Sequence, residues 1–554
     1  MPDKITIDPL RSVFLHLVET KAEPYKPPVE ALVLPPEPEE DSALTTRNEG
    51  RGAARVMRIL SLCPLMLDQH GSTYIQIEDD VYLLDSKNPR LVEKVASLYW
   101  RASEKTQTMG KDALTAAVSI LSHDARESGQ LVPMANRAAP YGEAIYYDLG
   151  NRNAIKIQGG RWEVVTALPG LFRDWGQKLP YPVPLPGGNA KRLFDFINVT
   201  EDRFLFILAT LTACLVPGVS RPAIIITGPQ GSGKSTFAYF LKMLVDPGNP
   251  ALTLVPRKPE DLDLMLSRNF FLVLDNISNL APEMADILAG VITGAAPQRR
   301  RLHTDNELLT LHTDLTICFT SINALSNRPD FMERTLRFEL ERIEDLQRLS
   351  DDEINQGFSA ALPEILGGLF DLLAKGLELL PNYRPERLPR MASFARIAAA
   401  VAEASEPGGG NRYLSAYFKN QGAQQLELAD GNSLFGAILE ACHAGNYPSG
   451  TFKQVTSTLK EIAEPDPKDR SFPSGPRGLR PALERLRVPL RTAGIGYQID
   501  EHRTAAGKAS VSFFAVEKSE DMAAPAAKPA ADLLPLPPEP PALGGLVFDP
   551  AELD

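Results

Sequence analysis

The chain has 554 residues, room for three or four domains at roughly 100–200 residues each, and its 44% hydrophobic content supports a sizeable core. Its net charge of −12 is concentrated in acidic terminal segments, so local charge says more about partners than the total does. Four cysteines (Cys63, Cys214, Cys318 and Cys442) lie far apart with no CxxC pair, which argues against a zinc ribbon or a disulfide framework and for a reducing cytoplasmic setting.

Residues 1–50 read as a flexible N-terminal segment. Val13, Phe14, Leu17 and Val18 would share one face of a short helix over 9–19, and a Pro/Glu stretch over 22–40 reads as a linker. No signal-peptide pattern and no run of about 18 apolar residues is evident. Residues 51–190 read as an N-terminal α+β domain: strands near 74–76 and 81–84, helices over 90–103 and 111–125, then strands over 144–148, 154–158 and 162–166. Trp100, Trp162 and Trp175 are expected in its core. The proline-rich run 179–188 (LPYPVPLPGG) reads as a boundary.

Residues 191–345 carry the chemistry. An apolar run at 223–227 (AIIIT) leads into 228–235 (GPQGSGKS), and a helical pattern follows from Lys234. Strand, glycine-rich loop and helix are the setting a phosphate-binding loop requires. Gly228, Pro229, Gln230, Gly231, Ser232 and Gly233 would turn the backbone so that its N–H groups meet a phosphate at the helix N-terminus, with Thr236 in the first turn. Lys234 would reach the β- and γ-phosphates of ATP and Ser235 would place its hydroxyl on Mg²⁺. A short apolar run at 252–255 predicts the next strand, and a further apolar run, 270–274, ends in Asp275, whose carboxylate would meet the same metal. The run 298–311 (QRRRLHTDNELLTL) predicts a hairpin carrying Arg299, Arg300, Arg301 and His303, and strands over 315–320 and 336–340 follow. Five strands with helical crossovers predict an α/β parallel sheet with the glycine-rich loop on its central strand.

Residues 346–429 are helical in pattern and predict a lid, in which Arg390, before the second long helix, would either lie near the nucleotide or be a solvated arginine at the helix start. Residues 430–518 read as three helices and two strands, the pattern of a winged-helix DNA-binding domain. Between residues 470 and 508, eight Lys/Arg, among them Arg477, Arg480 and Arg485, face three acids, a patch suited to phosphates. A protein-interaction module is the other reading of the same pattern. Residues 519–554 form an acidic Pro/Ala tail predicted to be disordered, ending in an apolar-acidic tip at 546–549 that could dock on a replication partner.

The stretches GPQGSGKST, FFLVLDNIS, RRRLHTDNE and RPDFMERT, with LPRMASFA at 388–395, resemble the helicase-like AAA+ ATPases of phages and integrated mobile elements, which are primase-helicase-related and lie near the superfamily-three helicases. The resemblance covers roughly 60–515. It implies a P-loop NTPase core, a homo-oligomeric ring, usually a hexamer, and ATP hydrolysis coupled to melting or threading of single-stranded or forked DNA. It implies that Asp275 is the Walker B acid, that Arg299, Arg300, Arg301 and His303 face a DNA channel, and that Arg334, with Arg328 second, reaches a neighbour's γ-phosphate. Thr320 by spacing, or Asn323 by residue type, would be the polar sensor. One position departs from the common pattern: Asn276 stands where most such motors carry a second acid. Asn can hold a water but cannot accept its proton, so the base would come from elsewhere, with Glu283 and Asp286 as candidates. Three functions therefore stand: a helicase or initiator, an ATP-controlled regulatory or loading factor without unwinding, and a scaffold with a silent ATP site.

Overall fold

The computed structural model describes residues 48–516 except 69–70, 79, 104–107, 133, 168–170, 174–176, 257, 295–297, 301–307, 311–313, 323–324, 326–327, 344–349, 467–468, 470 and 501–508. The helix expected over 9–19, Trp175, Arg301, His303, Asn323 and the tail 519–554 lie outside the described residues.

The chain opens with helix α1 (Asn48–Leu60), strands β1 (Leu65–Leu67), β2 (Thr73–Ile77) and β3 (Asp80–Leu83), helices α2 (Pro89–Ala102) and α3 (Lys111–Ser128), and strand β4 (Gln130–Leu131). The sheet runs β3-β2-β1-β4. In α2, Leu91, Val95 and Tyr99 recur every four residues and form its buried stripe. They pack with Ile75, Leu114 and Leu121 into a small core of their own. Trp100 follows Tyr99 by one position, so the helical period turns it outward. It is 42% exposed, not a core residue as expected.

A four-stranded antiparallel meander follows: β5 (Ala138–Tyr141), β6 (Ala144–Gly150), β7 (Asn153–Gln158) and β8 (Arg161–Thr166). Residues 51–190 are thus two units rather than one, because the inner face of the meander (Ile145, Tyr147, Ile155, Ile157) belongs to the same core as the parallel sheet downstream. The run 179–188, although mostly exposed, is tied by its backbone to later elements rather than standing as a free boundary. Leu179 N–H donates to Pro247 O, Tyr181 is buried, and Leu185 N–H donates to Pro363 O. At this crossing a Cβ on Gly367 would lie 1.7 Å from Leu185 O, so only glycine lets the two backbones meet.

Helix α4 (Phe204–Ala213) leads to β9 (Ala223–Thr227), α5 (Lys234–Val245), α6 (Pro259–Arg268), β10 (Phe271–Leu274), α7 (Pro282–Ile292), a hairpin of β11 (Gln298–Arg300) and β12 (Leu308–Thr310), β13 (Thr316–Thr320), α8 (Pro329–Met332) and β14 (Thr335–Glu339). Strands β10, β13, β9 and β14 lie in that order and pair in parallel. Their buried, β-branched and aromatic sequences fit a sheet covered on both faces. The expected strand over 252–255 is reduced to a single bridge, Thr253 to Leu274. In α5, Phe237, Phe240, Leu241 and Leu244 face the core. Phe237 stacks on Phe338, and Phe240 on Phe358. Truncating a buried ring such as Phe240 costs about 3–5 kcal/mol.

Three helices follow: α9 (Asp351–Leu379), α10 (Ala392–Ser405) and α11 (Gly409–Ala429). Ser350 and Glu353 form a reciprocal capping box that starts α9. This 29-residue helix is long and apolar enough to cross a membrane, but Phe358, Ile365, Leu369 and Phe370 are buried in the protein's own core. The expected lid therefore shares one core with the sheet.

The last unit holds α12 (Ser433–His443), β15 (Ser449–Thr451), α13 (Phe452–Ala463), α14 (Pro476–Thr492), β16 (Ile495–Asp500) and β17 (Ser510–Ala515), with sheet order β15-β17-β16. The three helices and two strands read from the sequence are joined by a third short strand, β15. Leu459, Leu479, Leu483, Leu490, Val511 and Phe513 form a core distinct from that of the parallel sheet.

A buried ionic network ties the meander to the foot of α5. Arg137, fully buried, donates from Nε to Asp246 Oδ1 at 2.9 Å and from Nη2 to Pro247 O at 2.8 Å. Lys242 Nζ donates to Asp246 Oδ2, Asn269 Oδ1 and Phe271 O. Phe270 and Phe271 donate their N–H groups to the same Oδ2. Burial pushes the Asp246 carboxyl up, but Lys242 and Arg137 outweigh that and hold it well below the usual carboxylate range.

Candidate nucleotide site

The parallel strands end on one edge of the sheet, so the residues that follow β9, β10 and β13 are brought together there: Gly228, Asp275 and Ser321. Ligands of open α/β sheets bind at this carboxyl edge. Gly228, Gly231 and Gly233 all have positive φ (151°, 78° and 80°), a region that L side chains rarely adopt. At Gly228 a Cβ would also meet Leu340 O at 2.6 Å and Ser232 Oγ at 2.7 Å. Gly233 caps α5, whose first-turn N–H groups and dipole favour an anion. Pro229, Gln230 and Gly231 complete an exposed turn, Ser232 is buried beneath it, and Thr236 lies in the first turn of α5.

Lys234 Nζ donates to the carbonyls of Gly228 and Pro229, both at 2.8 Å. Burial lowers its pKa, and the charge of Asp275 opposes that shift. Ser235 Oγ lies 3.0 Å from Asp275 Oδ1 and 3.2 Å from Oδ2. One hydroxyl and one carboxylate thus converge beside a helix N-terminus, a hard-oxygen donor pair that fits Mg²⁺.

Thr320, only 2% exposed, holds Asp275 in place. Its Oγ1 donates to Asp275 Oδ1 at 2.5 Å and accepts from Asn276 N–H at 2.8 Å. The peptide before Asp275 is fixed from the other side, where Asp275 N–H donates to Thr253 O. Thr253 was not singled out by the sequence beyond its apolar run. Asn276 sits at φ 56°, a left-handed conformation that Asn tolerates better than most residues, with its side chain exposed.

The arginines divide differently from their sequence order. Arg334 has a side chain only 11% exposed, and its Nη1 donates to the Asp330 carbonyl at 2.8 Å and to the Asp330 carboxylate. That hydrogen bond, with Arg390 beside it, holds the Asp330 carboxyl below its ordinary value. Arg328 is the outward one at 51% exposure, and it makes a two-pronged contact with Asp286 at 2.7 and 2.9 Å. Arg390 does not stand at the loop. It pairs with Asp330 and Glu333, joining the start of α10 to α8.

The hairpin is present in antiparallel register, Arg299 opposite Leu309 and Arg300 opposite Leu308. In the last unit, Arg477, Arg480 and Arg485 are exposed on α14. A cleft of about 250 Å³ opens beside Gly228 and Pro229 against β14 and α11, but its charged groups are already paired, Arg337 with Glu427 and Glu339 with Arg203. Lys234, Ser235 and Asp275 do not line it.

Comparison with known proteins places this edge of the sheet within a described family segment. Residues 190–419, fewer than half of the chain, match the family of actinomycete integrative conjugative element replication proteins. Among curated proteins no sequence matches significantly. Among solved structures the chain is similar to the apo C-terminal region of NrS-1, at 12% identity and TM-score 0.39 over 83% of this chain and 99% of that one. It is also similar to JCV helicase, at 14% identity and TM-score 0.20 over 45% of this chain and 67% of that one.

Proposed function

We propose that this chain is an ATP-dependent DNA helicase or replication initiator of a mobile element, working as an oligomeric ring with a P-loop NTPase core of AAA+ type. The observation that carries the reading is the convergence of Ser235 and Asp275 at the mouth of a glycine loop that opens α5. The family match over 190–419, to replication proteins of integrative conjugative elements, supports the biological setting.

The chemistry follows from the geometry. The loop N–H groups and the dipole of α5 bind the phosphates of ATP. Lys234 exchanges its two carbonyl acceptors for phosphate oxygens, which an ammonium carrying three donors can do without losing hydrogen bonds. Ser235 and Asp275 would hold Mg²⁺, which supplies charge neutralisation on the phosphates. Thr320 positions the Asp275 carboxylate. Asn276, exposed beside it, can orient a water but not deprotonate it. Phosphoryl transfer with a loose transition state depends mostly on position and charge, so turnover does not require a strong base at that position. Of the two candidate carboxylates, Asp286 is engaged by Arg328, which leaves Glu283, exposed in the first turn of α7.

The different exposure of the two arginines supports exchanging their expected roles. A residue that reaches a neighbour's phosphate must leave its own subunit, and half-exposed Arg328 would exchange a surface contact with Asp286 to do so, while Arg334 is nearly buried against Asp330. Arg328 is therefore the proposed trans residue and Arg334 the support of the segment that presents it. The hairpin arginines Arg299 and Arg300 and the exposed arginines of α14, on a winged-helix unit, are the proposed DNA contacts.

Asn276 favours a second reading, a scaffold whose ATP site binds without turning over. Strand displacement from a forked duplex tests the first reading. ATP-dependent displacement that disappears in Asp275→Asn supports it. Tight ATP binding with no displacement and no turnover supports the scaffold, and turnover without displacement supports a regulatory or loading factor.

A further inference from the structure

Helix α14 has two faces of opposite character. Leu479, Leu483, Leu486 and Leu490 are buried on one side. Arg477, Arg480, Arg485, Arg487 and Arg491 are exposed on the rest, with Glu484 the one acid of the helix and Val488 exposed among them at 40%. Its 17 residues extend over about 25 Å, so five guanidinium groups lie within that length. The helix leads directly into β16 and β17, and β17 ends at Ala515.

The sequence places an opposite charge within reach of this face. Residues 519–554 contain seven acids (Glu520, Asp521, Asp532, Glu539, Asp549, Glu552 and Asp554) against Lys528 alone. They contribute −6, half of the chain's net −12. The first of these acids stands five positions beyond Ala515, and Leu546, Val547 and Phe548 precede Asp549. A segment tethered this closely has an effective concentration on the order of millimolar at the face beside it. Single exposed ion pairs contribute little, about 0–1 kcal/mol, but several arginines facing one tethered polyanion do not need tight binding to be occupied.

We propose that residues 519–554 dock in cis on the arginine face of α14 and compete there with nucleic acid. The competition half rests on the DNA-binding reading above; the docking half rests on the charge and the tether. Charge density decides the winner. Duplex DNA carries one negative charge per about 1.7 Å, whereas the tail spreads seven acids over its 36 residues. The tail therefore keeps sparse polyanions off the face, and a continuous phosphate backbone displaces it. Displacement is an ionic exchange, so it sets a threshold for DNA engagement that depends on salt.

The test compares the full chain with a chain ending at residue 518, a truncation that removes no described residue. Binding of a labelled random-sequence duplex is measured from low to high salt. Truncation is expected to tighten binding by about tenfold at low salt, with the difference shrinking as salt rises. A synthetic peptide of residues 519–554 is expected to bind the truncated chain and to weaken its DNA binding. A peptide with its acids replaced by Asn and Gln should do neither. Replacing Arg477, Arg480, Arg485, Arg487 and Arg491 by Ser, all exposed and outside the core of α14, should abolish peptide binding. Equal DNA affinity of the two chains at every salt, with no peptide binding, overturns the docking. Arginine-dependent peptide binding by a truncated chain that binds no DNA upholds the docking and overturns the DNA-binding reading instead.

Discussion

The hydroxyl of Ser235 lies within 3.2 Å of both carboxylate oxygens of Asp275, although 40 positions separate them in the chain. The sheet makes this contact: β9 and β10 are parallel members flanking β13, so the loop after one strand and the acid after the other emerge on the same edge. In the proposed site this hydroxyl and this carboxylate would hold the same metal ion.

Lys234→Ala should reduce ATP turnover by at least a hundredfold, the scale of losing one preorganised charge contact in a transition state. Ser235→Ala should weaken nucleotide binding in the presence of Mg²⁺ far more than in its absence. Steady-state hydrolysis and nucleotide titrations with and without the metal check both. A Ser235→Ala protein with unchanged Mg²⁺-dependence would remove that hydroxyl from the metal.

Thr320 joins Asp275 to the backbone of Asn276. Thr320→Val keeps the shape and removes both hydrogen bonds, leaving a partly buried N–H unpaired at a cost of about 1–3 kcal/mol. Turnover should fall while ATP affinity is largely kept, and Thr320→Ser should restore it. Thermal unfolding and kinetics measured together separate positioning from a loss of fold. Failure of Thr320→Ser to restore turnover would deny Thr320 the positioning role.

The two arginines should separate by readout. Arg328→Ala should lose turnover with a largely unchanged melting profile, because its side chain is half exposed and its pair with the equally exposed Asp286 is a surface contact. Arg334→Ala should lower the melting temperature, because it strips a nearly buried guanidinium from the support of α8. Mixing Arg328→Ala with Lys234→Ala subunits should recover activity if each site is shared between neighbours. No recovery in the mixture would place Arg328 outside the site.

Asp246 should set the acid limb of stability. Its carboxyl is depressed in the folded state by Lys242 and Arg137, so the stabilisation is fully present above the unfolded carboxylate pKa of about 3.9 and is lost as pH falls through the lower folded value. Unfolding monitored from pH 7 downward should show this loss in the native chain and a flatter acid limb in Asp246→Asn. At neutral pH the same substitution leaves Arg137 and Lys242 without their carboxylate and should cost about 3–5 kcal/mol.

The loop, the acid and the strands around them were legible in the sequence because each is local: a glycine pattern, an apolar run, an acid at its end. The orientation of Arg334 was not. Four residues separate it from Asp330, one helical turn, and whether such a pair closes on itself depends on α8 forming over Pro329–Met332. The split of residues 51–190 was equally hidden. Alternation along β6 and β7 shows that one face is buried but not whose core covers it, and Tyr147 is buried against Phe270 and Phe370 from distant elements. Trp100 was misplaced because its size suggested a core, while the helical period through Leu91, Val95 and Tyr99 already turned it outward. Lys242 and Asp246, charged residues at the apolar end of α5 and four apart, were a readable sign of the buried network beneath the sheet.

The most direct measurement is ATP hydrolysis by the full chain with and without forked DNA, set against Lys234→Ala. Hydrolysis should rise severalfold on adding DNA and be absent from Lys234→Ala. Hydrolysis no greater than that of Lys234→Ala, in a protein that still binds ATP, would contradict this expectation and leave the loop as a binding site alone.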